Sequence, residues 1–225
     1  MVRIMTQNEH KNLIVELAKL FKPRIYVELG IASGYVFNSI VPYVQNYAFG
    51  IDINLNKYNY MYDELPPFMP GDYIKPGNNY YKSVQVIQKT TDEAAKLWPQ
   101  NLTIDLLFID ADHKAESVRQ DFITWSKFVT PGTGLILLHD TYPISQKYLK
   151  PGYCNDAWKV VDELFSYINE GQFLDYQESW GETDNPFTHD PFRDIFEIVT
   201  LPGPHAGLSI IRKRGDKHLY WMESK

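Results

Sequence analysis

The residues best suited to chemistry in this chain are carboxylates, imidazoles and glycines that each close an apolar run: Glu28, Gly30 and Gly34, then Asp52, Thr91 and Asp92, Asp110 and His113, and finally His139 and Asp140. Carboxylates accept hydrogen bonds from sugar hydroxyls or bind hard cations. Imidazole takes a proton near neutral pH. Glycine tolerates positive φ and lets a ligand approach the backbone. The stretch RIYVELGIASG, Arg24 to Gly34, carries acid-x-Gly-x-x-x-Gly on Glu28, Gly30 and Gly34, and Asp52 follows the first glycine by about twenty residues. In a βαβ unit that spacing sets a carboxylate where ribose hydroxyls would lie. The turn is not the Gly-x-Gly-x-x-Gly of dinucleotide enzymes. With Glu28 beside it a pyrophosphate would meet negative charge, whereas a cationic ligand would not.

Positioning these groups requires buried strands alternating with helices. Ile25–Leu29 is a short apolar run that suits a strand buried on both faces. It is preceded by an amphipathic helix over Gln7–Phe21, with Leu13, Leu17, Leu20 and Phe21 at helical spacing. After the glycines a helix is predicted over Ser33–Asn46, capped by Ser33 and bent or ended early by Pro42. Strands follow at Tyr47–Ile53, Tyr81–Lys89, Thr103–Asp110 and Gly134–His139. Asp92 is expected to cap a short helix, Glu93–Trp98. A longer helix, Lys114–Val129, sets Val118, Phe122, Trp125 and Phe128 on one apolar face, and another fits Ala157–Ile168. Ile195–Leu201 and Leu208–Lys213 are joined by Pro202-Gly203-Pro204, too short for a helical crossover, so they must pair antiparallel. In such a sheet ligands lie beyond the carboxyl ends of the strands, where strand order reverses. Adjacent strands are ~4.8 Å apart, so Asp110 and Asp140, ending neighbouring strands, could share one ion. Strand alternation points His139 away from Asp140 unless the strand has already ended there.

A chain of 225 residues accommodates one α/β domain, read here as residues 1–225, with the first helix in 1–23 and pocket loops at 66–79, 141–155 and 172–190. The apolar share of 44% and charged share of 22% are those of a soluble globular protein. A formal charge of −6 argues against nucleic acid or an acidic membrane as partner. Cys154 is the single cysteine, so nothing requires an oxidising compartment. With no membrane-length apolar run and no signal-peptide core, the cytoplasm is the default location. Oligomeric state, including a homo-oligomer, is left open.

From Ile25 to Asp140 the chain resembles the class I S-adenosylmethionine-dependent methyltransferases, at three stations in order: VELGIASG, GIDIN, and FIDADH followed by LLHD. It is similar in look to the small metal-dependent O-methyltransferases and to the related antibiotic- and sugar-tailoring O-methyltransferases. The resemblance implies a Rossmann-like, doubly wound seven-stranded sheet, mostly parallel with an antiparallel C-terminal strand, in which the first and fourth strands are neighbours. It implies S-adenosylmethionine as cofactor, met by Glu28, Gly30, Ser33, Gly34, Asp52, Thr91, Asp92 and Asp110. Asp52 would serve the ribose hydroxyls, Thr91 and Asp92 the adenine side, and Glu28 the amino group, directly or through water. Asp110, His139 and Asp140 match metal-ligand positions, although His139 departs from the acid or neighbouring pattern often seen there. Mixed oxygen and imidazole ligation suits Mg²⁺ or Mn²⁺, with Fe²⁺ or Zn²⁺ open. His113 matches the catalytic base, and His113 and Asp110 would carry the reaction.

The expected activity is methyl transfer to a hydroxyl of a small molecule: a sugar, a phenolic or a natural product. Each residue also has a plainer role. Asp52 and Asp92 suit helix caps, His113 can start a helix bonded to Asp110 or Asp112, and Asp110 and Asp140 can serve a metal-free site. Two rival functions are an iron-dependent oxygenase built on His113, His139 and a carboxylate, and a cofactor-binding fold without turnover.

Overall fold

The computed structural model describes residues 6–57, 83–142, 156–164, 196–202 and 207–213. These fall into two compact units, one ending at Asp112 and the other beginning at His113. The predicted loop at 66–79, that at 172–190 and most of 141–155 lie outside the described residues, as does the end of the helix predicted from Ala157.

In the first unit, helix α1 spans Thr6–Phe21. Its buried side is His10, Ile14 and Ala18, one residue every turn. The expected Leu13-Leu17-Leu20 stripe flanks that side, and Leu20 and Phe21 are exposed. Lys22 ends the helix in the left-handed conformation at φ 47°, its N–H donating to the Ala18 carbonyl at 2.8 Å, and Pro23 prevents continuation. Strand β1 is Ile25–Leu29, buried throughout as its unbroken apolar run requires. Asp105 accepts from the N–H groups of Arg24 and Ile25 at 2.9 and 3.0 Å and so fixes where β1 begins.

The helix after the glycines is far shorter than expected. Helix α2 covers only Phe37–Ile40, with Val36 at its N-terminus and no side-chain cap, so Ser33 is an exposed turn residue and not the cap. Pro42 lacks the N–H needed to extend the ladder, and the chain passes into a single 3₁₀ turn at Val41–Tyr43. Strand β2 (Tyr47–Asp52) and β3 (Ser83–Gln88) follow. Helix α3 (Thr91–Leu97) is capped by Thr90, whose hydroxyl accepts from the Glu93 N–H at 3.2 Å while Glu93 reaches back to the Thr90 N–H at 3.0 Å. This reciprocal box displaces Asp92 from its expected capping role into the exposed first turn. Strand β4 is Leu106–Ile109. β1 pairs parallel with both β2 and β4, and β2 with β3. First and fourth strands are thus neighbours, and strand order reverses at β1.

The second unit holds helix α4 (Ala115–Ser126), strand β5 (Leu135–His139), helical residues 157–164, and strands β6 (Phe196–Pro202) and β7 (Gly207–Lys213). The predicted apolar face of α4 is buried: Val118, Phe122, Trp125 and, just beyond the helix, Phe128. Phe122 meets Phe196 of β6 edge-on at 5.2 Å. β7 runs antiparallel to both β5 and β6. The strand order is β3-β2-β1-β4-β5-β7-β6, a seven-stranded Rossmann-like α/β sheet, mostly parallel with antiparallel pairing at its C-terminal end. Among the described residues no helix is long and apolar enough to cross a membrane.

Candidate active site

Four of the expected residues are brought together in the first unit, around the turn that leaves β1. Gly30 sits at φ 85°, its N–H bonded to the Ile51 carbonyl at 2.8 Å. A Cβ there would lie 2.4 Å from both the Ala111 Cα and the Asp110 carbonyl oxygen. The turn is therefore pressed against the residue that closes β4, and only glycine allows the approach. Gly34 is also left-handed, at φ 76°, and its N–H closes the turn on Ile31 O at 2.6 Å. Asp52, at the end of β2, reaches into the same turn. Its Oδ2 accepts from the Ala32 N–H at 2.9 Å and its Oδ1 from the Asn54 N–H at 2.8 Å. Each oxygen keeps lone-pair capacity beyond these bonds, and the two bonds fix the carboxylate plane.

Glu28 is enclosed by its neighbours. Its side chain is buried, with 2% of the residue exposed, and it lies against Tyr26, whose hydroxyl donates to Glu28 Oε2 at 2.5 Å. The Phe37 N–H also bonds to it. Burial pushes the Glu28 carboxyl well above the usual carboxylate range; the bonds from Tyr26 and Phe37 oppose this, and the neighbouring charges of Asp110 and Asp52 add to it. Burial likewise raises the Tyr26 phenol, reinforced by Glu28. Thr91 and Asp92 open α3, just after Lys89, whose N–H bonds to the Asp52 carbonyl at 3.1 Å.

In the second unit three residues converge. His113 Nδ1 pairs with Asp140 Oδ2, and His139 Nδ1 lies 3.4 Å from Asp140 Oδ1. Alternation would have sent His139 and Asp140 to opposite faces, but β5 ends at His139 and Asp140 adopts φ 57°, which turns its carboxylate back toward both rings. Burial alone would raise the Asp140 carboxyl. The bond from His113 and the proximity of the His139 ring outweigh it and hold the group well below the usual range, so Asp140 is an anion. Behind it, the Thr141 N–H bonds to Gly207 O at 3.2 Å and the Ser209 hydroxyl donates to Thr141 Oγ1 at 2.7 Å, tying the strand end to β7. The His113 carbonyl accepts from the Asp156 N–H at 2.8 Å, which anchors the histidine before α4.

Two features of the site were not anticipated from the residues alone. The pairing of Tyr26 with Glu28 had a signal, since the two stand two apart on a strand and share a face. The role of Asp140 as partner of His113 had none, because it depends on the left-handed turn.

A parallel sheet whose first strand runs into a glycine turn, with an acid at the end of the second strand bonded into that turn, defines a protein built to hold a nucleoside-type cofactor. The profile of a family described as a methyltransferase domain matches residues 27–141, half of the chain, and the protein belongs to this family, within the class I S-adenosylmethionine-dependent methyltransferases. Among solved structures it is similar to an O-methyltransferase from Bacillus cereus in complex with S-adenosylhomocysteine (11% identity, TM-score 0.55, covering 92% of this chain and 81% of that one). It is also similar to the O-methyltransferase TomG from Streptomyces achromogenes, of tomaymycin synthesis, in complex with S-adenosylmethionine (14%, 0.55, 92% and 80%). A third similarity is to the MycE methyltransferase of the mycinamycin pathway, in complex with Mg and S-adenosylhomocysteine (16%, 0.52, 90% and 48%). At these identities the likeness establishes the fold. A comparison with curated protein sequences gave no significant match.

Proposed function

We propose that the protein methylates a hydroxyl group of a small molecule, a sugar, phenol or natural product, with a divalent cation held by Asp110, His139 and Asp140. The observation that carries the choice of oxygen is the His113–Asp140 pair. With Nδ1 committed to the Asp140 carboxylate, His113 has the tautomer in which Nε2 takes a proton, the arrangement a general base needs.

S-adenosylmethionine supplies an electrophilic methyl group on a sulfonium. The chain's own residues do the rest. Asp52 accepts from the ribose hydroxyls, held in plane by Ala32 and Asn54. Gly30, Ser33 and Gly34 form the turn beside it, with Ser33 exposed, and Thr91 and Asp92 line the adenine side. Asp110, ending β4 beside the turn, borders both cofactor and acceptor. His113 Nε2 receives the acceptor proton, and Asp140 stabilises the imidazolium that results. Most of the rate comes from alignment of acceptor and methyl group and from stabilising the developing oxyanion.

The donor set fits a hard divalent cation: one imidazole and two carboxylates, of which Asp140 is kept ionised. Such a cation would lower the acceptor hydroxyl's pKa. The metal-bound methyltransferase complex among the similar structures also supports this reading.

Titration calorimetry with S-adenosylhomocysteine, with and without Mg²⁺, followed by a methyl-transfer assay on a panel of hydroxyl acceptors, tests the proposal. Binding together with transfer to at least one hydroxyl is expected, and His113→Ala should lower turnover by about a hundredfold while leaving cofactor affinity within about threefold. Absence of binding in both conditions, or equal losses of binding and turnover in His113→Ala, would refute it.

A further inference from the structure

Glu28 occupies the position from which an acid would reach the amino group of the cofactor, yet its surroundings are those of an internal strut. Tyr26 and Glu28 project from the same face of β1 and both are buried, at 0% and 2% exposure. The Tyr26 hydroxyl bonds to Glu28 Oε2, and the same carboxyl receives the backbone N–H of Phe37, the first residue of α2. The Phe37 ring closes the bracket by stacking on Tyr26, with centroids 5.9 Å apart and planes at 23°. Gly50 on β2 makes the room: a Cβ there would meet Ile31 at 2.9 Å and the Phe37 ring at 3.3 Å. The whole glycine turn, residues 30–36, therefore hangs between two points that this bracket joins.

We propose that Tyr26 and Glu28 are positioning residues that fix the glycine turn by bridging β1 to Phe37, and that Glu28 makes no direct ionic contact with the cofactor's amino group. With 2% of the residue exposed, Glu28 could make an ionic contact only by turning out of the bracket, and each donor abandoned in that movement carries its own desolvation cost. The charges that act on Glu28 are those of Asp110 and Asp52, both carboxylates, and they oppose ionisation there while the bonds from Tyr26 and Phe37 favour it. The consequence for binding rests on the methyltransferase reading. The bracket itself does not.

Two measurements on the full-length protein separate these. In the first, S-adenosylhomocysteine, which keeps the amino group, is titrated by calorimetry at neutral pH into wild type, Glu28→Gln, Glu28→Ala and Tyr26→Phe. Glutamine can still accept from Phe37 and donate to Tyr26, so Glu28→Gln should bind within about threefold of wild type, while Glu28→Ala and Tyr26→Phe should bind about three- to tenfold more weakly. A merely structural role would lower the melting temperature of the variants without changing affinity measured well below it. A loss beyond about tenfold in Glu28→Gln, at the level of Glu28→Ala, overturns the proposal in favour of direct contact.

The second measurement is hydrogen exchange of the Phe37 amide without ligand. It should speed up about tenfold in Glu28→Ala and keep its wild-type rate in Glu28→Gln. An unchanged rate in Glu28→Ala overturns the bracket whatever the calorimetry gives. If wild type fails to bind S-adenosylhomocysteine, the methyltransferase reading falls while the exchange data still decide the bracket; should Glu28→Ala not fold, Tyr26→Phe gives the same two readings.

Discussion

Replacing Gly30 by alanine is the most direct perturbation of the site. Two effects add. The residue sits at φ 85°, where an L side chain costs about 1–2 kcal/mol, partly offset by the lower entropy of the unfolded alanine chain. The new Cβ would also lie 2.4 Å from Ala111 Cα and Asp110 O, whereas ordinary contact is about 3.5–4.0 Å. Both obstacles are backbone, so no rotamer change relieves them and the turn must move away from the end of β4, at about 1–3 kcal/mol. The sum is about 2–4 kcal/mol. For a chain of 225 residues this corresponds to a fall in melting temperature of about 5–15 °C. Because the displaced turn carries the Ala32 N–H that orients Asp52, affinity for S-adenosylhomocysteine should fall by at least about tenfold at temperatures where the variant is folded. Thermal melting and calorimetry on the purified variant give both numbers. The companion change Ala32→Gly removes a left-handed alanine at φ 46° from the same turn and should leave melting unchanged or raise it slightly. A Gly30→Ala protein that melts within about 2 °C of wild type and binds with equal affinity would refute the packing of this turn and its link to the cofactor.

Asp52→Ala should weaken S-adenosylhomocysteine binding by about ten- to a hundredfold, by loss of an ionised acceptor, while saturating cofactor restores most of the turnover; calorimetry paired with cofactor-saturation kinetics reads the split. Thr90→Ala removes the cap of α3 and should cost about 1 kcal/mol in urea unfolding, against a much smaller effect for Asp92→Ala, which is exposed in the first turn. The pH dependence of stability follows from Glu28. Its folded pKa is raised above the ordinary 4.5, so the folded state binds the proton more tightly than the unfolded chain. The group is neutral in both states below that value, and ionising it opposes folding as pH rises from there through the raised folded pKa. Glu28→Gln should therefore match wild-type stability in acid, exceed it progressively as pH rises through that window, and keep a constant advantage above it, in denaturant titrations across pH. Asp140 works in the opposite sense. Its folded pKa is depressed, so its contribution is complete above the ordinary carboxylate range and is lost as pH falls below it, an acid-side slope that Asp140→Asn should abolish.

Much of the architecture was legible locally. Strand β1 has the expected bounds because five consecutive buried positions leave no ambiguity of face. The apolar face of α4 was fixed by residues three and four apart, and the antiparallel pairing of β6 with β7 by a connection too short for any crossover. The three motif stations identified the family because each couples a strand end to a polar group at a set spacing. Legibility failed where competing local signals had to be settled by partners distant in the chain. Serine and aspartate are both good caps, yet Ser33 and Asp92 cap nothing, because the chain is still in the glycine turn at Ser33 and one helix starts only at Phe37, while the Thr90–Glu93 pair begins the other two residues early. Leu20 and Phe21 fit a helical stripe but belong to its exposed end, since burial of α1 follows His10, Ile14 and Ala18 against α2 and the turn after it.

The sequence by itself determined which elements form, their order, and the chemical character of each strand end, since periodicity, glycine and proline act within a few residues. Only tertiary structure decided what those end groups do. Asp52 became a fixed acceptor because the Ala32 N–H was delivered to it from another strand's turn. Asp140 came to face His113 through one left-handed residue, and Glu28 was enclosed by Tyr26 and Phe37. A side chain's charge and reach depend on desolvation and on donors brought from elsewhere in the chain, and those are properties of packing that no local pattern encodes.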